Sequence, residues 1–454
     1  MKWLTTAVLA ILTTVTIHAQ EVVYLRAYLD AVERAHPALQ AASFEADLAE
    51  AEIRNALGRF DPVLDLHYQH KDKGGTNKLD LLQGSVELPL DMLFGPKLKA
   101  TYNRGTGTHV NPESATGTGG DAGIGISMPL FQGIFTDTRR NQLRKAALRP
   151  DLAAAQVRLE RNTLLRAAAL RYWDWAEAVA AVDVADTVVR LVRERAAMMA
   201  RRARAGETSA IDTVEILQEV ARRQGELLRA QRIAEQAGVD AGVYLWATDG
   251  TPRTLSGRPE RLPAAADTSV LATISMTAVQ AARPEVRRTD ILQQTARLDS
   301  GLANEYLRPF VQLEGSLMQY DVGSALTPDV KFGLTITQPL LFRSASAQAQ
   351  VASVTVRRAD FQRAIVERGV EADVANAAIA VRRAAERMMV ATTEVGLADQ
   401  MLAAERRRFD AGESTLLTLN LRERFYAEAL MRQVNARADW ARALVGLSWS
   451  TGTI

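Results

Sequence analysis

The sequence predicts an α+β chain of two internal repeats, each joining a few β-strands to very long coiled-coil helices. Three observations predict it. Four landmarks recur in the same order in both halves, and such self-similarity is the mark of a duplicated unit. Segments alternating at period two stand beside Ala- and Arg-rich stretches with heptad spacing. The chain is 47% hydrophobic but only 6% aromatic, a supply that suits long helices better than a large aromatic core.

Taken in order, the chain opens on "MKWLTTAVLAILTTVTIHAQE": Lys2, an apolar run to Ile17, then Ala19. This reads as a secretory signal peptide over 1–19, cut near Ala19. The run is about 15 residues, short of the roughly 20 that span a bilayer. No later segment offers 18 uninterrupted apolar residues, so a helical membrane protein is not expected. Entry into a membrane as strands, whose signal per segment is weaker, stays open.

The repeats come next. "AHPAL" (Ala35–Leu39) returns as "ARPEV" (Ala282–Val286), and "RFDPVLDL" (Arg59–Leu66) as "YLRPFVQL" (Tyr306–Leu313). "ISMPLFQG" (Ile126–Gly133) returns as "ITQPLLFR" (Ile336–Arg343). The breaker "RRARAGETSAID" (Arg201–Asp212) returns as "RRFDAGESTLLT" (Arg407–Thr418). The spacing between partners shrinks by about 37 residues between Leu66 and Ile126, so the first copy carries an insertion there. The first repeat covers 20–246, with strands about 62–130 and a turn near 206. The second covers 282–454, with strands about 309–340 and a turn near 412. Between them, 247–281 is a linker broken by Pro252, Pro259 and Pro263.

Within each repeat a short helix comes first, near Pro37–Gly58 and near Pro284–Leu307, with proline in a first turn where its missing N–H costs nothing. Strands follow. The first copy shows four candidate passes, "VLDLHYQHK", "GSVELPLDML", "PKLKATYNRG" and "DAGIGISMPL", against two in the second. "KDKGGTNKLD" and "GTGTHVNPESATGTGGD" read as exposed loops. "DMLFGPK" reads as an interfacial turn with Phe94 at a lipid boundary. Long helices close each repeat. Val374, Val381, Met388, Val395, Leu402 and Phe409 fall seven apart, with Ala377, Ala384, Ala391 and Ala398 three residues after the first four. From Ser344 to Phe409 such a helix runs about 100 Å at 1.5 Å per residue. The returning helix is half as long, so a short helix must complete its path.

Several classes are excluded. Cysteine is absent, which removes disulfides, thiol nucleophiles and lipid attachment at an N-terminal cysteine. The net charge of +2 gives no electrostatic reason to bind nucleic acid. There is no phosphate-binding loop, no G-x-S-x-G and no standout carboxylate pair. His67 and His70, three apart on a strand, face opposite sides and make no metal pair. No enzyme, cofactor or metal is expected.

The order and duplication of these features resemble the TolC-type outer-membrane efflux family, across nearly all of the mature chain. The strand exits at Pro129 and Pro339 and the breakers at Gly206 and Gly412 carry the resemblance. It implies a homotrimer: an outer-membrane β-barrel continued by a periplasmic α-helical coiled-coil barrel. It implies an exit duct for a tripartite efflux pump or type I secretion system, lodged in outer-membrane lipid and working with a periplasmic adaptor and an inner-membrane transporter. The alternative is the adaptor itself, which would show one helical hairpin between small β modules. In the family the breakers are periplasmic tips where helices turn back, and the linker helps form an equatorial belt. Gly206, Glu207, Gly412 and Glu413 are then the tip turns and adaptor-docking residues. The family's constriction aspartates, six and nine residues after the second tip glycine, are here Thr418 and Leu421. The same offsets in the first copy give Asp212 and Glu215. Asp212 and Glu215 are gate candidates, with Phe409 at an aromatic gate position and Arg406 or Arg407 as donors to Asp212. The ordinary reading of both acids is first-turn residues, favourable near a helix N-terminus. A family-like barrel takes four strands per chain, twelve in all, and six would give eighteen. Twelve is the expectation, with the extra hairpin of the first copy outside the wall.

Overall fold

The computed structural model describes residues 21–111, 114–205 and 209–454. The expected signal peptide and the tip residues Gly206 and Glu207 lie outside the described residues. In chain order the elements are β1 (Val22–Val23), α1 (Leu25–Ala35), α2 (Pro37–Leu57), β2 (Val63–Lys73), β3 (Thr76–Pro89), β4 (Lys97–Thr106) and β5 (Asp121–Pro129). Then come α3 (Thr138–Ala147), α4 (Arg149–Arg204), α5 (Ala210–Gly242), β6 (Arg258–Pro259), α6 (Met276–Ala282) and α7 (Pro284–Glu305). The last four are β7 (Phe310–Gln319), β8 (Asp329–Thr337), α8 (Arg343–Asp410) and α9 (Leu416–Thr451).

The chain forms two compact units. One holds the chain up to Gln40 with Arg161–Ser275 and Asp373–Ile454; the other holds Ala41–Glu160 and Met276–Ala372. The first unit is helical. Its heptad positions are what it buries: Val374, Val381, Met388 and Leu402 of α8 are each 5% exposed or less, as are Val189, Val192 and Met199 of α4. Small residues at alternate seam positions let the helices approach closely. An aromatic cluster closes the other end of this core, where Tyr172 meets Tyr28, Trp173 and Trp175 at ring distances of 5.3–5.9 Å. There the N-terminal segment is bound twice. β1 pairs parallel with β6, and the Tyr172 hydroxyl donates to Val23 O (2.6 Å) while accepting from Glu260 N (3.0 Å). Burial pushes the Tyr172 and Tyr28 phenols well above their ordinary range, so both stay neutral hydrogen-bond donors.

The second unit is built on one antiparallel sheet of six strands in the order β2-β3-β4-β5-β7-β8. This corrects the expected four-stranded sheet with a hairpin elsewhere. The inserted β3–β4 hairpin sits inside the ladder, between β2 and β5. The reason is visible across the strands. Leu64, Val86, Ala100, Ile124, Leu317 and Val330 stand opposite one another in a single row through all six strands. The neighbouring row, Val63, Glu87, Lys99, Gly125, Ser316 and Lys331, points to the other face. One face is therefore apolar and exposed, with Leu64, Ile124, Leu317 and Val330 each more than half exposed. The other is polar, with a Lys97–Glu87 ion pair at 2.6 Å. The β2–β3 connection is the pair Gly74-Gly75 with φ of 62° and 72°, a two-residue turn that needs positive φ at both centres.

Three groups tie the strand exits to helices. Asp137 caps α3 by accepting from Arg140 N (2.9 Å). The Arg140 guanidinium, 4% exposed, donates to Met92 O and Ile134 O at 3.1 Å each and to Gly133 O. It thereby fastens the turn between β3 and β4 to the strand exit after β5. That turn holds Phe94 at φ 69°, with its N–H on Ile134 O (3.3 Å). Lys145 and Asn141 of α3 meet Asp299 of α7, each at 2.9 Å.

Candidate functional site: the helical tips

The helical unit ends in two turns, one between α4 and α5 and one between α8 and α9. The second is fully described. Glu413 N donates to Arg408 O (2.8 Å) and Gly412 N to Phe409 O (3.1 Å), with Gly412 at φ 78°. That is a Schellman stop, in which a left-handed residue lets two otherwise orphaned carbonyls be satisfied. Thr415 then starts α9 by accepting from Thr418 N (3.3 Å). Thr418 Oγ1 also meets Thr415 Oγ1 at 2.9 Å, and Leu421 is partly exposed. Thr418 thus belongs to the cap of α9.

The first turn is described only at its shoulders. Ala205 N closes α4 on Arg201 O (3.1 Å). Ser209 opens α5 with a reciprocal cap: its Oγ accepts from Ile211 N (3.3 Å), and its own N–H donates to the Asp212 carboxylate (3.2 Å). Asp212 therefore has a first-turn capping role in the chain. Arg406 does not reach it; Arg406 turns to Glu423 at 3.4 Å. Glu215 faces the other hairpin and accepts from Asn420 Nδ2 (3.3 Å). Phe409 is partly buried against an apolar cluster that includes Met199, Ile216 and Leu416, with the Arg202 guanidinium 5.9 Å from its ring. Glu413 is exposed, as is Arg407.

Just behind the tips lies a feature that the heptad reading passed over. Arg195 of α4, 6% exposed, pairs with Glu423 of α9, 7% exposed, at 2.9 Å. The Arg195 nitrogens find no aligned hydrogen-bond partner among the described residues. Burial draws the guanidinium below its usual range, against the pull of Glu423 and Glu219. Glu405 of α8, 5% exposed, accepts from Ser414 Oγ and lies 3.8 Å from Arg422. The two hairpins are thus joined by buried charge as well as apolar packing. The signal was in the sequence: Glu423 falls on the line of Leu416 and Leu419, where spacing alone calls for an apolar residue.

Among the described residues no group of three His, Asp or Glu stands where it could hold a metal, and no helix is long and apolar enough to cross a membrane. Residues 276–453 match the family model described as outer membrane efflux protein. No curated protein matches the chain. Among solved structures, the outer-membrane channel OprN is 16% identical with a TM-score of 0.66, over 95% of this chain and 90% of that one. The outer membrane protein VceC of Vibrio cholerae is 14% identical, TM-score 0.64, over 94% and 96%. The open state of the Neisseria gonorrhoeae MtrE outer membrane channel is 16% identical, TM-score 0.63, over 94% and 88%. At such identities these likenesses concern the fold.

Proposed function

From the match of residues 276–453 to the outer membrane efflux protein model, we propose that the chain is the outer-membrane exit duct of a tripartite efflux pump or type I secretion system. It is a passive channel, opened by a periplasmic adaptor and an inner-membrane transporter. One observation carries this reading: an antiparallel sheet that is apolar on one face, polar on the other, and unpaired at both edges, β2 and β8. An open edge cannot face hydrocarbon, because each unpaired N–H or C=O would cost several kcal/mol, of order 4 or more in an alkane-like medium. The edges must close on other copies. With an even strand count, β2 and β8 run in opposite directions, so head-to-tail copies close an all-antiparallel barrel. Three copies make the homotrimer of the family. An adaptor would have no use for an exposed apolar sheet face.

The helical hairpins then form the periplasmic end. In this reading the turns at Gly206 and Gly412, with Glu207 and Glu413, are where an adaptor docks. Asp212, Glu215, Phe409, Arg406 and Arg407 line or support the gate, Asp212 holding the first turn of α5 and Glu215 bridging the hairpins. The test is carbonate-washed membrane fractionation joined to efflux in a strain lacking the chain. Retention in the outer membrane and restored efflux of a fluorescent substrate are expected. A protein released by carbonate, or one retained without any effect on efflux or secretion, overturns the reading.

A further inference from the structure

We infer that the β3–β4 hairpin is part of the membrane wall, so that three copies close eighteen strands rather than twelve; this rests on the trimeric channel reading. Four observations carry it. The hairpin is paired on both sides, β3 with β2 from Lys73↔Thr76 to Val63↔Glu87, and β4 with β5 from Asn103↔Asp121 to Lys97↔Ser127. A hairpin folded into the lumen as a plug would leave β2 and β5 to meet directly, and they do not. From Leu82 to Leu88 and from Leu98 to Thr101 its residues keep the facing of the sheet: Leu82, Val86, Leu88, Leu98 and Ala100 stand on the apolar face, Gln83, Ser85, Glu87, Lys99 and Thr101 on the polar one. That alternation is what a strand with lipid on one side and water on the other requires. Finally, the turn after β3 is fastened to the strand exit after β5 by buried Arg140. The hairpin is thus fixed at its base as well as along both edges.

The consequence is functional. Barrel diameter grows roughly in step with strand number: about 8 strands leave an interior that side chains fill, and walls of about 16–18 leave a water-filled channel. The outer-membrane end of this duct is then an open pore lined by the polar face. Discrimination among cargoes falls to the periplasmic tips.

The chain has no cysteine, so introduced pairs are unambiguous. In the folded chain Ala100 stands opposite Ile124, while Leu64 stands two strands away from Ala100. Oxidation of membrane-reconstituted Ala100→Cys/Ile124→Cys should give the disulfide-linked peptide by mass spectrometry, and Leu64→Cys/Ile124→Cys should not. The reverse pattern would mean that β2 adjoins β5 and the hairpin lies elsewhere. A second measurement covers a pair that fails to fold or to oxidise. Single-cysteine variants at Val86 and Ser85, labelled with a fluorophore, should lose signal to a lipid-borne quencher at Val86 and to an aqueous one at Ser85. Aqueous quenching at both positions overturns the wall placement. Leu64→Cys and Val330→Cys are the controls: if they too are quenched only from water, it is the channel reading itself that fails.

Discussion

At the scale of single residues, Gly412 separates backbone cost from crowding. Its φ is 78°, and a Cβ built there would meet nothing within 4 Å. Any penalty is conformational. Gly412→Ala should therefore cost roughly 1–2 kcal/mol, and Gly412→Val somewhat more, since a β-branched side chain also crowds its own backbone at positive φ. Gly412→Asn should recover part of it, because asparagine tolerates the left-handed region. Denaturant melts of the helical signal would check this; an alanine variant as stable as the glycine chain would contradict it. The buried Arg195–Glu423 pair gives a second prediction. Arg195→Met alone leaves a carboxylate 7% exposed with only Arg406 at 3.4 Å, and should cost about 3–5 kcal/mol. Arg195→Met with Glu423→Leu should return most of that, because an apolar pair of similar volume removes both desolvation penalties. A double variant worse than the single one would show the pair to be net stabilising.

At the scale of elements, legibility followed periodicity. The seam from Val374 to Phe409 could be read because seven-residue spacing persists through a helix of 68 residues. Both turns were marked by a glycine inside that pattern. What escaped had no period to show. β1 and β6 are two residues each, and nothing in "VV" or "RP" says they pair across the chain. α1 lies ahead of the helix read from Pro37 and was not read at all. Tyr172 is the residue that makes this strap. Tyr172→Phe would remove the hydroxyl that bridges Val23 O and Glu260 N, leaving them only their own bond at 3.2 Å, and should cost about 0.5–1.5 kcal/mol. Hydrogen exchange should show faster opening at Val22–Leu25, with the tip helices unchanged. The raised phenol adds a sign: a group whose pKa rises on folding lends stability below its ordinary value, about 10 for tyrosine. That contribution is lost as pH climbs above it, and Tyr172→Phe should blunt the alkaline loss. The hairpin β3–β4 was seen as strands but misplaced, since alternation reveals a pass and its faces, not its neighbours.

At the scale of the whole molecule, the sheet edges decide what the chain alone cannot complete. Native mass spectrometry of detergent-extracted protein should show three copies, and a stable monomer would remove the reason for β2 and β8 to stay unpaired. The candidate residues Gly206, Gly412, Asp212 and Glu215 were named from the repeat and from offsets that the resemblance supplied; of these, Gly412 stands at a helix stop and Asp212 at a helix start. Arg195 and Glu423 were not named: Glu423 interrupts the apolar line of Leu416 and Leu419, but that local break does not say which distant helix holds its partner. The even number of strands has one more consequence. β2, β5, β7 and β8 all meet their helices α2, α3, α7 and α8 at one end of the sheet. Among the described residues, the opposite end is reached by the glycine turn and by the connections that follow β4 and β7. In the proposed channel, insertion then takes short polar connections through the bilayer, and no long, charged helix needs to be dragged through hydrocarbon. The barrier to assembly scales with those loops, however long the helices grow.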